Sequence, residues 1–468
     1  MKQTTMPKGF RLLLLPSTAA LLLTACASVN FDQALLETSH SSQGLVPDAP
    51  ALRQTAEHQK TRTERSAELL SQPLSLPNAV QLALANSAAL QALLAQSWAD
   101  MAAINQNGRI ANPVLALERT EFRNELEWDR LLSVGLLDLL TLPRRQSIAR
   151  AQQAQAQVQL TANVVDAVAR VRQAWVHAVA AEQLAQYAEQ VNKAAQASAE
   201  LAKRMQQAGN FNKLQRARQH VFYADAVAQL ALARHAATAA REELVRQLGL
   251  NDAQAALLTL PERLPELPSQ PRAVAELTAA ALQQRLDVQL AQSQLDGAGK
   301  AQGLNLLGKL VDVELGLRHD TVYDRQSDQT SDRNGVAVSI RLPLFDWGDA
   351  QRAAMNAQTL AAANRYESVV RSATSQLRES YSSYRTAYDL ARHYRDEIVP
   401  LRKAIAEENV LRYNGMLIGV FELLADTREQ IASVMAAINA QQQFWLADAQ
   451  LSITILGTPT ATPMFTAP

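Results

Sequence analysis

Two stretches of the chain, GNFNKLQRAR at 209–218 and GVFELLADTR at 419–428, carry the same residue at their first, third, sixth and tenth positions. The relation extends along the chain: LAQS at 94–97 recurs at 290–293, and LSV at 132–134 falls on VSI at 338–340. Repeats of 20 to 50 residues indicate solenoids. A repeat of about 200 residues instead indicates a duplicated domain, so we expect each half to build the same unit.

Long segments without Gly or Pro surround these stretches. The segment from Arg144 to Ala208 predicts one helix of roughly 95 Å at 1.5 Å per residue. Such a helix cannot fold around an ordinary core and must lie beside others in a bundle. Further helices are predicted at Leu76 to Ile110, Asn210 to Leu248, Asp349 to Val399, Leu401 to Asn414 and Val420 to Leu456, with a bend at Pro400.

Four segments between the helices alternate apolar and polar residues with period two, as in Val311, Val313, Leu315 and Leu317. This period predicts strands with one apolar face. Pro143 and Pro343 mark the places where a strand gives way to a helix. We expect strands at about 113–123 and 128–142 in the first half and about 309–322 and 334–346 in the second, with a polar loop from Tyr323 to Asn334.

Alternating segments of about ten residues are typical of membrane β-barrel strands. The alternative is two ordinary hairpins on a soluble core, but the long helices must pack on each other and leave little apolar surface to cover them. Four strands cannot close a barrel, and an open edge cannot lie in lipid. The sequence therefore predicts several chains sharing one transmembrane barrel.

The first residues have the features of an export signal. Basic residues precede the apolar run from Leu12 to Ala25, which is too short to span a bilayer and reads as a secretory signal at 1–25. The ending LTAC at 23–26 resembles the lipobox of bacterial lipoproteins, in which Cys26 is acylated, for example with palmitate. A chance cysteine is the alternative. Ala27 favours sorting to the outer membrane, because an Asp there would favour retention at the inner membrane.

The chain divides into a lipidated tether with little structure at 26–73, a first repeat at 74–265, a second repeat at 266–457 and a tail at 458–468. Lys and Arg total 45, as do Asp and Glu, so no net charge favours nucleic acid. The seven histidines are scattered without metal-ligand spacing, and GAGK at 297–300 lacks the remainder of a phosphate loop. We find no catalytic constellation and expect no cofactor, no metal site and no enzyme activity.

Several motifs resemble those of the TolC-like outer-membrane efflux channels. They are RYNG at 412–415 with FELL at 421–424, AGNF at 208–211 with Leu214, LPLFDWG at 342–348, and QRLD at 284–287. The last is similar to an Arg-Pro-Asp-Leu signature but has Leu286 in place of proline. The resemblance implies a lipid-anchored homotrimer in the outer membrane of a Gram-negative bacterium, with a shared twelve-stranded barrel and a twelve-helix tube projecting into the periplasm.

The resemblance also implies partners at the helix-hairpin tips, namely a periplasmic adaptor and an inner-membrane pump, such as one of the resistance-nodulation-division type. The protein would be a passive conduit for small molecules. The alternative is a structural helical lipoprotein that acts as an envelope spacer. The expected docking tips are Gly209, Phe211, Leu214, Gly415, Gly419, Phe421 and Leu424, with glycines for positive φ. Opposite charges near the tips make Arg218, Asp426 and Arg428 candidates for a closed periplasmic gate.

Overall fold

A computed structural model describes residues 30–42, 44–53, 55–273, 285–301, 312–341, 344–345 and 347–457. The predictions for the signal at 1–25, Cys26, Pro343 and the tail at 458–468 lie outside these residues. The elements are α1 Phe31–Ser41, α2 Ala56–Leu70, α3 Leu76–Asn86, α4 Ala88–Asn107, β1 Val114–Phe122, β2 Glu125–Gly135, α5 Leu136–Gln207, α6 Lys213–Leu248, α7 Asp252–Leu257, α8 Leu286–Ala301, β3 Asp312–Asp324, β4 Gln329–Arg341, α9 Asp349–His393, a π-helical turn Tyr394–Ile398, α10 Val399–Asn414 and α11 Val420–Leu456.

The predicted fold class is confirmed: the described chain is mainly helical with one small antiparallel sheet, and its unit is duplicated. Each repeat places a β-hairpin after a helix, α4 or α8, and then two long antiparallel helices. The strands form one sheet in the order β1-β2-β3-β4. None of the helices in the described part of the chain is apolar over enough residues to cross a bilayer.

The boundary between β2 and α5 differs from the prediction. Helix α5 begins at Leu136, spans 72 residues and contains Pro143, so the strand expected at 128–142 ends at Gly135 instead. The segment from 136 to 142 is rich in leucine, which favours helix, and it lacks the period-two alternation of a strand. The predicted single helix from Leu76 to Ile110 is likewise divided, because Ser87 is extended and caps the second part through Leu90 N–H.

The second hairpin is tighter than predicted. Strand β3 continues to Asp324 and β4 begins at Gln329, so the long loop expected from Tyr323 to Asn334 is a short turn. The polar side chains pair with one another: Thr321 donates to Asp332 at 2.9 Å, and Tyr323 donates to Asp328 at 2.6 Å. The polar residues that suggested a loop are therefore part of the two strands, where their side chains form hydrogen bonds with one another.

The division predicted at Pro400 lies slightly earlier in the structure: α9 ends at His393, and Pro400 lies in the first turn of α10. Proline has no N–H to donate to a carbonyl four residues earlier. The structure has a π-helical turn just before it, in which Val399 N–H donates to the carbonyl of Tyr394, five residues back. The wider turn accommodates the missing donor and separates α9 from α10.

The part of 26–73 that the structure describes is mostly helical, contrary to the prediction of a tether with little structure. Helix α1 buries Phe31, Ala34, Leu35 and Thr38, which share one helical face. The Phe31 ring stacks on Trp98 with centroids 6.0 Å apart. The helix is polar overall, but its buried residues are spaced so that they form one face. Burial of that face stabilises the helix despite the polar residues around it. Helices α1 and α2 begin at the capping side chains of Asn30 and Thr55.

The main core lies where α3 and α4 pack on α5. Trp175 of α5 is 2 % exposed, and its indole N–H donates to the carbonyl of Leu74 at 2.7 Å. A second core joins α9 to α11 through Tyr384, Tyr388 and Phe444. Elsewhere the long helices pack largely through alanine and valine, which permits close approach without large side chains.

Candidate functional site

The two faces of the sheet differ in chemistry. The strand register is continuous, so paired residues share a face and alternate residues lie on opposite faces. One face, here the apolar face, carries large aliphatic side chains with 44–69 % of their surface exposed. They are Leu115, Leu117, Leu132, Leu315, Leu317, Val336, Val338 and Ile340. Exposed aliphatic side chains in such number indicate a surface that meets lipid or another chain.

The opposite face, here the polar face, carries charge. Among the residues whose side chains the structure describes, this face carries seven carboxylates and three guanidinium groups, which is an acidic excess. The carboxylates are those of Glu118, Glu125, Glu127, Asp129, Glu314, Asp320 and Asp324, and the guanidinium groups are those of Arg318, Arg333 and Arg341. An apolar face backed by a charged face is the pattern of a strand wall between hydrocarbon and water.

Three carboxylates on the polar face lie close together. Glu127, Asp129 and Asp320 each offer an oxygen within 4.8 Å of the others. Arg318 donates to Asp129 at 2.9 Å and to Asp320 at 2.7 Å, so a guanidinium group supplies the compensating charge. Sequence reasoning missed this cluster, because it depends on the register that pairs Asp129 with Asp320 across the two repeats.

The first helix tip is a glycine-terminated reversal, as predicted. Gly209 has φ +84°, and the N–H groups of Asn210 and Phe211 donate to the carbonyl of Met205 at 2.8 and 3.2 Å. Asn212 then opens α6 with a reciprocal capping box to Gln215. Phe211 is buried and holds the turn. Leu214 is 61 % exposed.

The second tip uses a different residue for the left-handed conformation. Met416 has φ +61°, whereas Gly415 has φ −79° and Gly419 has φ −81° with ψ 157°. The expectation that Gly419 takes positive φ is therefore wrong. Met416 and Leu417 are 93 % and 77 % exposed and project from this tip, although sequence reasoning did not select them. Leu424 is half-buried, and the side chain of Phe421 lies outside the described residues.

The three residues predicted to form a periplasmic gate contact different partners within one chain. Arg218 is exposed and has no ion pair with any residue that the structure describes. Asp426 accepts a hydrogen bond from the side-chain amide of Asn409 in α10. Arg428 donates to Gln219 at 3.3 Å, and Gln219 accepts from Ser198 at the same distance. The three candidates are thus not brought together within one chain.

Another ion pair near the second tip was not predicted. Arg402 of α10 lies 3.2 Å from Glu429 of α11. Together with the contact between Asn409 and Asp426, it bridges the two arms of the second hairpin. The sequence does not reveal these partners, because their pairing depends on how the two helices align.

The surroundings of several titratable groups on the long helices lower their pKa values. Burial lowers the pKa of His177, whose ring nitrogen lies 2.9 Å from the Gln442 amide. Burial also lowers the pKa of Arg172, against an opposing effect of Asp448. The Arg395 guanidinium lowers the pKa of Asp396 by donating to its carboxylate. His177 is therefore neutral at pH 7, and Asp396 is ionised.

Two open grooves of about 510 and 390 Å³ run beside α9 and α11. Ser383, Ala387 and Gln443 line both, and His177 lines the smaller one. Within the described residues, no hydrogen bond joins Ser383 to His177. The larger groove has a mostly apolar lining, which includes Leu390 and Ala440, and the smaller one has a more polar lining.

The described residues of the QRLD motif, Arg285 to Asp287, connect two helices through buried polar contacts. Arg285, 2 % exposed, donates to Asp287 at 3.0 and 2.7 Å, and Asp287 N–H donates to the carbonyl of Gly457 at 2.7 Å. This arrangement fastens the start of α8 to the end of α11. Leu286 is the first residue of α8, a position at which proline is tolerated.

Comparison with known proteins gives matches among solved structures. No protein-family model matches the chain, and no curated protein matches it. The outer membrane channel CmeC of Campylobacter jejuni has a TM-score of 0.69 at 13 % identity, covering 88 % of this chain and 90 % of CmeC. The outer membrane protein VceC of Vibrio cholerae has 0.68 at 16 %, covering 82 % and 97 %.

The open state of the Neisseria gonorrhoeae MtrE outer membrane channel has a TM-score of 0.64 at 20 % identity, covering 82 % of this chain and 89 % of MtrE. Likeness at these identities concerns the fold. The chain has the fold of these outer-membrane channel proteins, and the predicted resemblance is confirmed at that level.

Proposed function

We propose that the chain is the outer-membrane channel of a tripartite efflux system. As a homotrimer, it would be a passive conduit that carries small molecules across the outer membrane from an inner-membrane pump and a periplasmic adaptor. The observation that carries the proposal is the four-stranded sheet, which has one apolar face, one charged face and, within the described part of the chain, two edges without a partner strand. The chain has no catalytic role in this proposal.

The sheet edges support the trimer. Among the described residues, β1 and β4 each pair with only one strand, so each leaves a row of backbone N–H and C=O groups. In hydrocarbon each unsatisfied group costs several kcal/mol. Pairing β4 of one chain with β1 of the next satisfies both edges, and three chains close the ring. The apolar faces then turn toward lipid, and the charged faces enclose water.

The helix tips support docking of an adaptor. Leu214 at the first tip and Met416 and Leu417 at the second tip expose apolar side chains at the far ends of the long helices. The backbone that presents them is ordered by caps at Asn212 and Gly415. We assign the docking role to both tips, including the predicted Gly209, Phe211, Gly419, Phe421 and Leu424.

A lipid anchor agrees with the position of α1. Cys26 precedes Phe31, the first residue of α1, by five positions, and an extended chain of that length spans roughly 17 Å. Acylation of Cys26 would hold α1 and the core beneath it at a short distance from the outer membrane. We therefore assign the mature chain to the periplasmic side of the outer membrane of a Gram-negative bacterium, with its sheet inserted.

Planar-bilayer recording on the purified protein tests the conduit. We expect trimers in detergent by light scattering, discrete conductance steps in the bilayer, and a larger open fraction when the cognate adaptor is added. The neighbouring genes should encode that adaptor and a pump. A protein that stays monomeric and never conducts would sink the proposal.

The alternative, a helical lipoprotein spacer, is separated by membrane extraction. The variant Cys26→Ser is exported with a non-lipoprotein signal peptide. A spacer then becomes soluble in the periplasm, whereas a channel with an inserted sheet stays in the membrane fraction until detergent is added. The exposed aliphatic face of the sheet favours the channel, because a soluble spacer would leave it in water.

A further inference from the structure

The apolar face of the sheet is too short to cross a membrane by itself. Cross-strand pairing arranges its side chains in rows about 6.7 Å apart along the strands. Three rows are wholly apolar, and the next contains Arg130, His319 and Asn334 beside Leu117. The apolar rows are Val313 and Ile340; Val134, Leu315 and Val338; and Leu115, Leu132, Leu317 and Val336.

Three rows extend about 13 Å along the strands, from the first row to the third. The apolar band of a membrane barrel is about 25 Å tall and its strands are tilted by about 35–45°, so the three rows cover no more than roughly half of the required height. The polar rows that follow on one side cannot supply the missing part. The remainder has to lie on the other side, where the strands meet the helices.

Helix α5 begins with an exposed apolar stripe at that junction. Leu136, Leu139, Leu140 and Pro143 have the spacing of one helical face, and the three leucines are 39 %, 42 % and 69 % exposed. Leu136 follows Gly135, which pairs with Glu314, so the stripe starts at the level of Val313. From Leu136 to Pro143 the helix rises about 10.5 Å. Sheet rows and stripe together extend about 24 Å.

The stripe ends in polar residues. Arg144 and Ser147 are both exposed, and they follow Pro143 directly along the helix. An arginine at the end of an apolar stripe is suited to the depth of lipid phosphates, where its charged head stays in water while its stem lies on apolar surface. The surface therefore changes from apolar to polar within one turn.

The second repeat also has exposed apolar side chains where its last strand meets the following helix. Leu344, Phe345 and Trp347 are 67 %, 97 % and 66 % exposed, shortly after Ile340 of β4. Tryptophan is enriched where bilayers meet water, because its ring is apolar and its N–H is polar. In both repeats, exposed large apolar side chains therefore come shortly after the strand residues of the apolar face.

We propose that the sheet-to-helix junction lies within the phospholipid leaflet that faces the periplasm, with the first two turns of α5 in contact with acyl chains. This rests on the proposed function. A second copy of the chain is a less suitable partner for the stripe, because the stripe is continuous with the apolar rows and ends in a charge at headgroup depth. The outer membrane therefore holds part of the helical wall as well as the sheet.

Nitroxide labels on single introduced cysteines test this depth in phospholipid vesicles. The positions are Leu140→Cys on the stripe, Ser147→Cys two turns further along α5, and Leu317→Cys on the sheet. The wild-type chain, taken through the same labelling, gives the background from Cys26. We expect labels at 140 and 317 to collide more with dissolved oxygen than with a water-soluble nickel chelate, and the label at 147 to show the reverse order.

The label at Leu317 separates the two proposals. If it reports water, the insertion of the sheet fails, and the proposed function fails with it. If it reports lipid while the label at Leu140 collides with the nickel chelate, only the depth of the junction is overturned. A label at 140 that neither reagent reaches indicates a covering protein chain and also overturns the inference. Leu139→Cys repeats the measurement on the same stripe should Leu140→Cys fail to assemble.

Discussion

The guanidinium carbon of Arg428 lies 4.3 Å from the centroid of the Phe222 ring. Arg428 belongs to α11 of the second repeat and Phe222 to α6 of the first, so this cation–π contact joins the two helical hairpins near their tips. Arg428 also donates to Gln219 of α6. Such a contact is worth about 0.5–2 kcal/mol, depending on how far water is excluded. A few contacts of this size can hold a closed state that an adaptor is able to open.

Arg428→Ala should therefore raise the conductance of the channel in the absence of adaptor. The change removes both the ring contact and the hydrogen bond to Gln219, so the two hairpins separate more easily. Single-channel recording at fixed voltage measures the open fraction, for which we expect a several-fold increase. Arg218→Ala is the matched control, because Arg218 occupies the equivalent repeat position but is exposed and unpaired among the described residues. Equal effects of the two variants would remove Arg428 from the gate.

The two tip glycines should respond differently to a β-branched residue. Gly209→Val forces valine into φ +84°, at a cost of about 1–2 kcal/mol, whereas Gly419 is already extended and its added Cβ meets no atom within 4 Å. Gly419→Val should leave the melting temperature of the detergent-solubilised protein nearly unchanged, and Gly209→Val should lower it by a few degrees. Similar losses at both positions would show that the backbone angles do not control the tips.

The affinity for the adaptor should depend on the exposed apolar side chains of the second tip rather than on its glycines. Met416→Asn keeps a residue that tolerates the left-handed conformation but removes a 93 % exposed apolar side chain. We expect weaker adaptor binding by surface plasmon resonance with little change in melting temperature. Glu407→Gln, on an exposed face of α10, serves as the control for a tip-proximal change without loss of apolar surface. Unaltered adaptor affinity in Met416→Asn would assign docking to other residues.

The periodic spacing of apolar residues made the helices and strands predictable. Their ends were predictable where a glycine or proline interrupts the pattern. Helix α11 runs from Val420 to Leu456 as expected, because glycines flank it at both ends. The end of β2 was predicted too late, because Pro143 was taken as the start of the helix, although the leucine-rich segment after Gly135 already favours helix and lacks period-two alternation. Helix α1 had a usable signal in the spacing of Phe31, Ala34, Leu35 and Thr38, but its polar neighbours obscured it.

The contacts of the candidate site were the least predictable part. The glycines at the tips are visible in the sequence, yet the left-handed residue of the second tip is Met416, which no turn rule selects. The pairing of Asp129 with Asp320 depends on strand register, and that of Arg428 with Phe222 depends on how two helices from different repeats align. Charges near a reversal can be identified from the sequence, but their partners are fixed by packing.

Gly457→Ala should be among the most destabilising small substitutions. Gly457 has φ +67°, and a Cβ there would lie 2.5 Å from Asp287 Oδ1 and 2.6 Å from Arg285 Nε. The buried pair would have to separate, and breaking such a pair costs about 3–5 kcal/mol. Gly209→Ala is the control, because it also has positive φ but open space around its Cβ. Thermal melting in detergent should show a much larger loss for Gly457→Ala, and equal losses would mean that the crowding at Asp287 relaxes without cost.

The acidic excess of the polar face should make the channel prefer cations. Among the described side chains of that face, seven carboxylates oppose three guanidinium groups, and a trimer would repeat the excess around one water-filled passage. A passage lined by one sign of charge concentrates the opposite ion. In a KCl gradient the reversal potential should therefore indicate that K⁺ permeates more readily than Cl⁻. The preference should weaken in 1 M salt, where the screening length falls to about 3 Å.

Glu118→Gln with Glu314→Gln should reduce this preference, because both side chains are exposed on the polar face. Asp332→Asn is the matched control, since it removes one carboxylate from the opposite face of the sheet. The control variant should keep the reversal potential of the wild-type channel, because its side chain does not face the enclosed water. A conducting channel that prefers Cl⁻, or one in which Asp332→Asn changes selectivity as much as the double variant, would mean that the polar face does not line the passage.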